Sequence, residues 1–330
     1  MVRKIAYSQA IREGTAQMLE EDPSVFVIGQ GVWSPWYVGS SMRDLDIEFG
    51  RSRVIDSPVS ENSTTGAAVG AAIAGMRPVV VHPRMDFMLL AVDQVVNQAA
   101  NWFYMTGGRV SVPVTIRAIV NRGGEQAAQH SQSFHAWFMH VPGLKVVMPS
   151  TPYDAKGLLI ASIRDDNPVL YIDDRWLYDD EGEVPEEAYA VPIGKAAVRK
   201  EGTDVTVVAT SFMAREAVAA ADAMENEGVR AEVIDLRSIS PMDKEAILAS
   251  VAKTRRLVTA DGGWLTGGVG SEVAALVSEE LFGCLLAPAV RVSLPDVPAP
   301  MSKSLEKAYY PTSDHIVRAV RRALALKGNG

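Results

Sequence analysis

The chain has 330 residues, of which 48% are hydrophobic and 22% charged, the composition of a soluble globular protein long enough for two domains with separate cores. A net charge of −8 with no Lys/Arg-rich run argues against a nucleic-acid binder. One cysteine, Cys284, excludes an internal disulfide and any multi-cysteine metal site, and fits a reducing compartment, with the cytoplasm expected.

At the start, Met1-Val2-Arg3-Lys4-Ile5-Ala6-Tyr7 leads into a polar helical pattern, so no signal peptide is expected. Strand-like runs then alternate with helical patterns: Val25–Ile28, a small-residue helix after Glu61, Val79–Val81, and a helix from Met85 to Trp102. Pro113–Val120, Lys145–Met148, a helix from Tyr153 to Arg164 and Val169–Ile172 follow. Strands that read as continuous apolar runs between helices predict a mostly parallel sheet covered on both faces, an α/β fold. The acidic segment Asp173 to Glu187 reads as an inter-domain linker. A second α/β series has strands at Val205–Ala209, Ala231–Leu236, Leu257–Ala260 and Val290–Val292. Its helices are expected over Met213–Asn226, Lys244–Ala252, Gly268–Leu281 and Asp314–Leu326. The longest apolar stretch, Gly66 to Met76, is far short of the ~20 residues that span a bilayer.

The most informative segment is Asp56-Ser57-Pro58-Val59-Ser60-Glu61, running into Asn62-Ser63-Thr64-Thr65 and the Gly/Ala-rich helix that ends near Gly75. Pro58 bars an earlier helix start and Ser60 suits the N-cap, which puts Glu61 in the first helical turn. Small residues let a backbone or a flat ligand approach closely. An acid in a first turn ordinarily just complements the helix dipole, by about 0.3–1 kcal/mol. The neighbours here predict burial, which opposes a charged carboxyl more strongly, so Glu61 is a candidate to share a proton with a ligand.

Three of the five histidines crowd together at His130, His135 and His140. His130 follows the Gly-rich stretch Asn121–Gln126, of the kind that lines clefts at the ends of parallel strands, and is a candidate acid, base or hydrogen-bond donor. His135 and His140 are five apart and give no zinc spacing. A third cluster, His82-Pro83-Arg84-Met85-Asp86-Phe87, lies where the chain leaves a strand. His82 and Arg84 there suit an anion, the plain alternative being that Arg84 pairs with an acid, and Phe87 reads equally as core. Neither a Gly-x-x-x-x-Gly-Lys-Ser/Thr loop, nor a nucleophile elbow, nor a Gly-Asp-Gly followed by Asn is present.

Taken in order, Pro58–Glu61, Gly70–Pro78, Asp93–Ala100, Ala127–Gln132, Pro142–Val147, Asp154–Leu159, Ile163–Pro168, Trp264–Glu272 and Asp296–Pro300 resemble the β subunit of thiamine-diphosphate-dependent 2-oxo acid dehydrogenases of the transketolase-like superfamily. The resemblance covers nearly the whole chain. It implies a pyrimidine-binding domain over residues 1–180, a linker over 181–196 and a transketolase C-terminal-like domain over 197–330. In such proteins the Glu matched by Glu61 hydrogen-bonds the cofactor's aminopyrimidine and promotes the tautomer that removes the thiazolium proton. Phe87 matches the aromatic that stacks on the pyrimidine, Asp86 lies beside it at the cofactor, and His130 matches the His that handles substrate or acyl transfer.

The same resemblance implies that an α subunit holds the diphosphate and Mg2+, that the assembly is an α2β2 heterotetramer with a β–β contact through the C-terminal domain, and that a lipoyl acyltransferase receives the product. It also implies a structural potassium site, here Val114, Ser162, Ile163, Asp165 and Asn167. The expected activity is decarboxylation of a 2-oxo acid such as pyruvate with transfer of the acyl unit. A split transketolase-like two-carbon transferase acting on a sugar or sugar phosphate is the alternative, and a non-catalytic scaffold a third reading. Two departures bear on substrate: Val81-His82-Pro83-Arg84 brings two potentially cationic groups, and Asn62–Thr65 is more polar than usual after the Glu.

Overall fold

The computed structural model describes residues 3–325. Two compact units divide the chain: residues up to Arg122 with Gln129–Ile193, and Gly123–Ala128 with the residues from Gly194 onward.

The first unit begins with β1 (Arg3–Ala6), α1 (Tyr7–Glu21), β2 (Val25–Gly29), α2 (Leu45–Phe49), β3 (Val54–Asp56), α3 (Glu61–Ile73) and β4 (Arg77–His82). It continues with α4 (Met85–Met88), α5 (Ala100–Met105), β5 (Thr115–Val120), α6 (His135–Met139), β6 (Lys145–Val147), α7 (Pro152–Arg164), β7 (Val169–Asp174) and β8 (Glu181–Val184). Its main sheet runs β6-β7-β5-β4-β2-β3, every neighbouring pair parallel. Parallel pairing puts all the carboxyl ends on one edge, so the turns after Gly29, Asp56, His82, Val120 and Asp174 share that edge. β5 and β7 are buried along their whole length, as continuous apolar runs between helical layers require. Thr151 starts α7 by accepting from the Asp154 N–H, with Pro152 in the first turn.

Three readings of this half need correction. The expected helix from Met85 to Trp102 is a series: α4, a 3₁₀ turn at Leu89–Ala91, a π-helical stretch over Gln94–Ala99, then α5. The acidic run from Asp173 to Glu187 is folded rather than a linker. Asp173 and Asp174 end β7, buried against Arg117 and Arg122, and Glu181–Val184 pairs antiparallel with β1. The strand around Arg117 is not purely apolar either: that guanidinium, 1% exposed, grips Asp173 through Nε at 3.0 Å and Nη2 at 2.8 Å.

The second unit contains β9 (Ala197–Lys200), β10 (Val205–Ala209), α8 (Phe212–Glu225), β11 (Ala231–Asp235), β12 (Ser238–Ser240), α9 (Lys244–Thr254), β13 (Leu257–Trp264), α10 (Val269–Leu281), β14 (Val290–Leu294), α11 (Lys303–Tyr309) and α12 (Ser313–Ala325). Its sheet runs β14-β13-β10-β11-β9, with only β9 antiparallel. α12 buries Ile316, Ala319, Val320 and Ala323, a helical stripe, and packs on α8 and β14. Leu326, expected to close that helix, lies outside the described residues. Two α/β units with mostly parallel sheets are what the alternation of strand and helix predicts.

Candidate active site

Glu61 is the first residue of α3, is 8% exposed, and lines a narrow cleft with Gly29, Gln30, Pro58, Thr64 and His82. Sequence order produces this directly. β3 ends at Asp56, the Ser57 N–H returns to the Gly29 carbonyl at 3.0 Å, and Pro58 turns the chain into the helix. Ser60 occupies the N-cap as expected, yet its side chain makes no capping bond. Gly29 is required by close approach: a Cβ there would lie 2.4 Å from the Val81 carbonyl oxygen. On α3 itself, Gly66 faces Gln94 of the π-helical stretch, while Asn62, Ser63, Ala67 and Gly70 form an exposed small-residue face.

His82, at the end of β4, is 2% exposed, with Nε2 3.2 Å from the Thr65 hydroxyl. Burial lowers its pKa to about 4, so at neutral pH it is an uncharged hydrogen-bonding group. This corrects the expectation of a second cation beside Arg84. Thr65, four residues after Glu61 and out of contact with water, does not line the cleft but holds the His82 ring, a support the sequence did not single out. The polar Asn62–Thr65 segment was its signal.

A second group gathers just past β4. The rings of Phe87 and His130 meet edge to face with centroids 5.4 Å apart. Asp86 Oδ1 accepts from the Gln132 backbone N–H at 3.2 Å and from its side-chain nitrogen at 2.8 Å, pinning the segment that carries His130. Burial raises the Asp86 carboxyl above the ordinary range despite those bonds. The other Asp86 oxygen, the Ser131 hydroxyl and the Gln30 side-chain oxygen are buried with no partner. Buried polar atoms are nearly always bonded, so these three at one sheet edge are open to a water or a ligand. His135 does not join them: it is fully buried and 2.7 Å from the Ser133 hydroxyl, and His140 is exposed on the surface.

Arg84 also sits at this edge. Its Nη1 donates to the Pro83 carbonyl at 2.7 Å, and the Asn121 carboxamide oxygen, turned toward it, accepts from Nε at 2.6 Å and Nη2 at 3.0 Å. Pairing with an acid, the plain alternative, is not what the geometry has.

The candidate potassium residues are elsewhere, at the α7–β7 turn. There the carbonyls of Ile163 and Asp165 accept from Arg77 Nη1 at 3.2 and 3.0 Å, that of Ser162 from the Asp165 N–H, and that of Val114 from the Val169 N–H. The Asn167 N–H bonds the Asp165 carboxylate at 2.9 Å.

Residues 3–179 match the transketolase pyrimidine-binding domain and residues 194–316 the transketolase C-terminal domain. The β subunit of acetoin:2,6-dichlorophenolindophenol oxidoreductase from Cupriavidus necator is 41% identical over 98% of each chain. The mitochondrial pyruvate dehydrogenase E1 component β subunit of Bos taurus is 43% identical over 97% of this chain and 91% of that one. The chain belongs to this β-subunit family of thiamine-diphosphate-dependent 2-oxo acid dehydrogenases. Among solved structures, a split-gene transketolase in an inactive β4 tetramer superposes with a TM-score of 0.78 at 26% identity, covering 98% of this chain and 99% of that one. Relatives that are β subunits imply an α partner for this chain. Among the described residues, no helix is long and apolar enough to cross a membrane.

Proposed function

We propose that this chain forms the pyrimidine half of a thiamine-diphosphate site completed by an α subunit, decarboxylates a 2-oxo acid such as pyruvate, and passes the acyl unit to a lipoyl group or another acceptor. The observation that carries this reading is Glu61: a carboxyl at the mouth of α3, buried in a cleft whose other lining residues, Gln30, Thr64 and a neutral His82 among them, carry no charge. These residues fit the cofactor. Glu61 would hold the aminopyrimidine by a hydrogen bond and exchange a proton with it, Phe87 would supply a flat apolar face, and the orphan Asp86 oxygen would gain a partner. When bound, thiamine diphosphate supplies the carbon nucleophile and the electron sink that decarboxylation needs.

His130, half-buried against Phe87, would donate a hydrogen bond to substrate oxygen and move a proton during acyl transfer. His82, oriented by Thr65, would hydrogen-bond polar ligand atoms without charge. With no Gly-Asp-Gly in this chain, the diphosphate and Mg2+ fall to the α subunit in an α2β2 assembly, with β–β contact through the second unit and a lipoyl acyltransferase downstream. Exposed Leu90, Tyr104, Met105 and Trp137 are apolar surface suited to such subunit contacts. We place the assembly in the cytoplasm and the domain boundary near residue 194, after the strand Glu181–Val184 that pairs with β1. A potassium ion at Val114, Ser162, Ile163, Asp165 and Asn167 would share two carbonyls with the Arg77 guanidinium, so the reading gives it no step.

Purified with its α partner, the protein is tested by CO2 release from pyruvate and longer 2-oxo acids with an artificial electron acceptor. Glu61→Gln is expected to lower kcat by about 10²–10⁴-fold, the usual worth of a positioned proton-transfer group. Undiminished turnover in Glu61→Gln would remove the mechanism. The split transketolase fold match motivates one competing assay, transfer of a two-carbon unit from a ketose phosphate to an aldose without loss of CO2.

A further inference from the structure

Two guanidiniums at the carboxyl edge of the first sheet are held by neutral oxygens alone. Arg84 is bound to the Pro83 carbonyl and the Asn121 carboxamide, and Arg175, just past β7, donates through Nη2 to the carbonyls of Trp36 at 3.0 Å and Tyr37 at 3.3 Å. Among the described residues neither has a carboxylate at ion-pairing distance. Asp86 is the nearby acid, yet the oxygen it has engaged faces Gln132. Both arginines are half-buried. Arg175 also lies over the Tyr178 ring, 5.7 Å from its centroid, which fixes its plane.

Arg84 Nη1 and Nη2 each commit one N–H to these neighbours and keep a second. Forked, orientationally fixed N–H pairs on a cation match the oxygens of carboxylate and phosphate. In the sheet β5 lies between β4 and β7, so Asn121, just past β5 and bonded to Arg84, stands between the turns that carry Arg84 and Arg175. Burial, and after it the charge of Arg175, push the Arg84 guanidinium below its ordinary value. Next door, the His82–Pro83 wall of the Glu61 cleft leads directly into Arg84.

We propose that Arg84 and Arg175 form an oxyanion subsite that takes the tail of the substrate, a phosphate ester or a second carboxylate remote from the reacting carbonyl. This deepens the thiamine reading and rests on it only for where the reacting carbon lies. It replaces the His82–Arg84 pair expected from sequence, since His82 is neutral.

The first experiment needs no turnover. The complex with its α partner is titrated calorimetrically with inorganic phosphate, as wild type and as Arg84→Ala, Arg175→Ala and Arg84→Lys. Phosphate affinity is expected to fall about tenfold, ~1.4 kcal/mol, in each alanine variant and to recover in part with lysine. Melting temperatures establish that each variant is folded, and Arg84→Lys and Arg175→Ala serve where Arg84→Ala is not. Kinetics on chain-matched 2-oxo acids with neutral, carboxylate and phosphate-ester tails then identifies the source of the oxyanion. An anionic tail is expected to raise kcat/KM more than tenfold, a preference that collapses in the alanine variants, and the larger of the two anionic arms names the substrate class. Phosphate affinity equal in wild type and both alanine variants, no detectable phosphate binding, or a neutral-tail preference in the wild type overturns the subsite. Loss of the thiamine reading looks different: no compound with any tail is decarboxylated, while phosphate binding still depends on Arg84.

Discussion

Arg117 and Arg84 stand a short way apart in the same sheet unit and do opposite things with the same guanidinium. Arg117, in the middle of β5, is out of contact with water and gives Nε and Nη2 to Asp173, with Nη2 also reaching the Ser41 and Tyr178 hydroxyls at 2.8 and 2.9 Å. Arg84, past the end of β4, is half-buried and held by two neutral oxygens. A cation matched to a carboxylate is committed to the fold, because releasing either partner strands a charge in a dry interior. A cation held only by carbonyl and amide oxygens is positioned but not neutralised, and remains available to a ligand. Partner identity, rather than residue type, separates structure from function here.

The comparison breaks most visibly on removal of the buried acid. Asp173→Ala leaves Arg117 charged and unpaired and is expected to cost about 3–5 kcal/mol in denaturant unfolding. Arg84→Ala, by contrast, takes donors from two neutral oxygens and strands no charge, and is expected to cost about 1–2 kcal/mol. Replacing both Arg117 and Asp173 by apolar residues of similar volume should be milder than Asp173→Ala alone, because no charge is left behind. Equal costs for Asp173→Ala and Arg84→Ala would erase the distinction.

His82 sharpens the same contrast by pH. It sits beside Arg84 in sequence, yet burial has lowered its pKa from 6.5 to about 4. Unfolded chain therefore binds a proton at this residue between pH 6.5 and about 4 that the folded chain refuses. Stability is complete above 6.5 and is lost as pH falls through that window, by about 3 kcal/mol for this one group. Melting curves of wild type and His82→Gln between pH 4 and 7 should diverge from that cause, the variant losing less stability on acidification. Parallel curves would mean that His82 accepts its proton in the folded state and is the cation that its sequence position implies.

Much of the fold was legible because continuous apolar strands and 3.6-residue periodicity survive without knowledge of partners. Glu61 was legible for a related reason: Pro58, Ser60 and the Gly/Ala run are local signals. What failed was everything set by a distant partner. Asp173 and Asp174 look like the start of a linker until Arg117 and Arg122 are placed beside them. β8 escaped notice because an acidic four-residue strand is defined only by β1, some 180 residues earlier in the chain. His82 looked cationic because burial depth cannot be read from a dipeptide. Gln132 stood inside a motif matched to the family, yet its bond to Asp86 joins residues 46 apart and carries no local pattern.

The smallest effect concerns that bond. Burial raises the Asp86 carboxyl, so folding favours its protonated form, and the ionised form is the one that costs stability as pH rises through the folded value. Asp86→Asn keeps an oxygen to accept from both Gln132 donors and removes the buried charge, so its melting temperature at pH 7 should equal or exceed that of the wild type. Asp86→Ala removes the acceptor and leaves two donors beside His130, at an expected cost of about 1–2 kcal/mol. If asparagine destabilised as much as alanine, the Asp86 charge itself would be needed, and the residue would have to be paired as Arg117 is with Asp173. If asparagine is neutral and alanine is not, Asp86 acts through the hydrogen bonds that hold the His130 segment against Phe87.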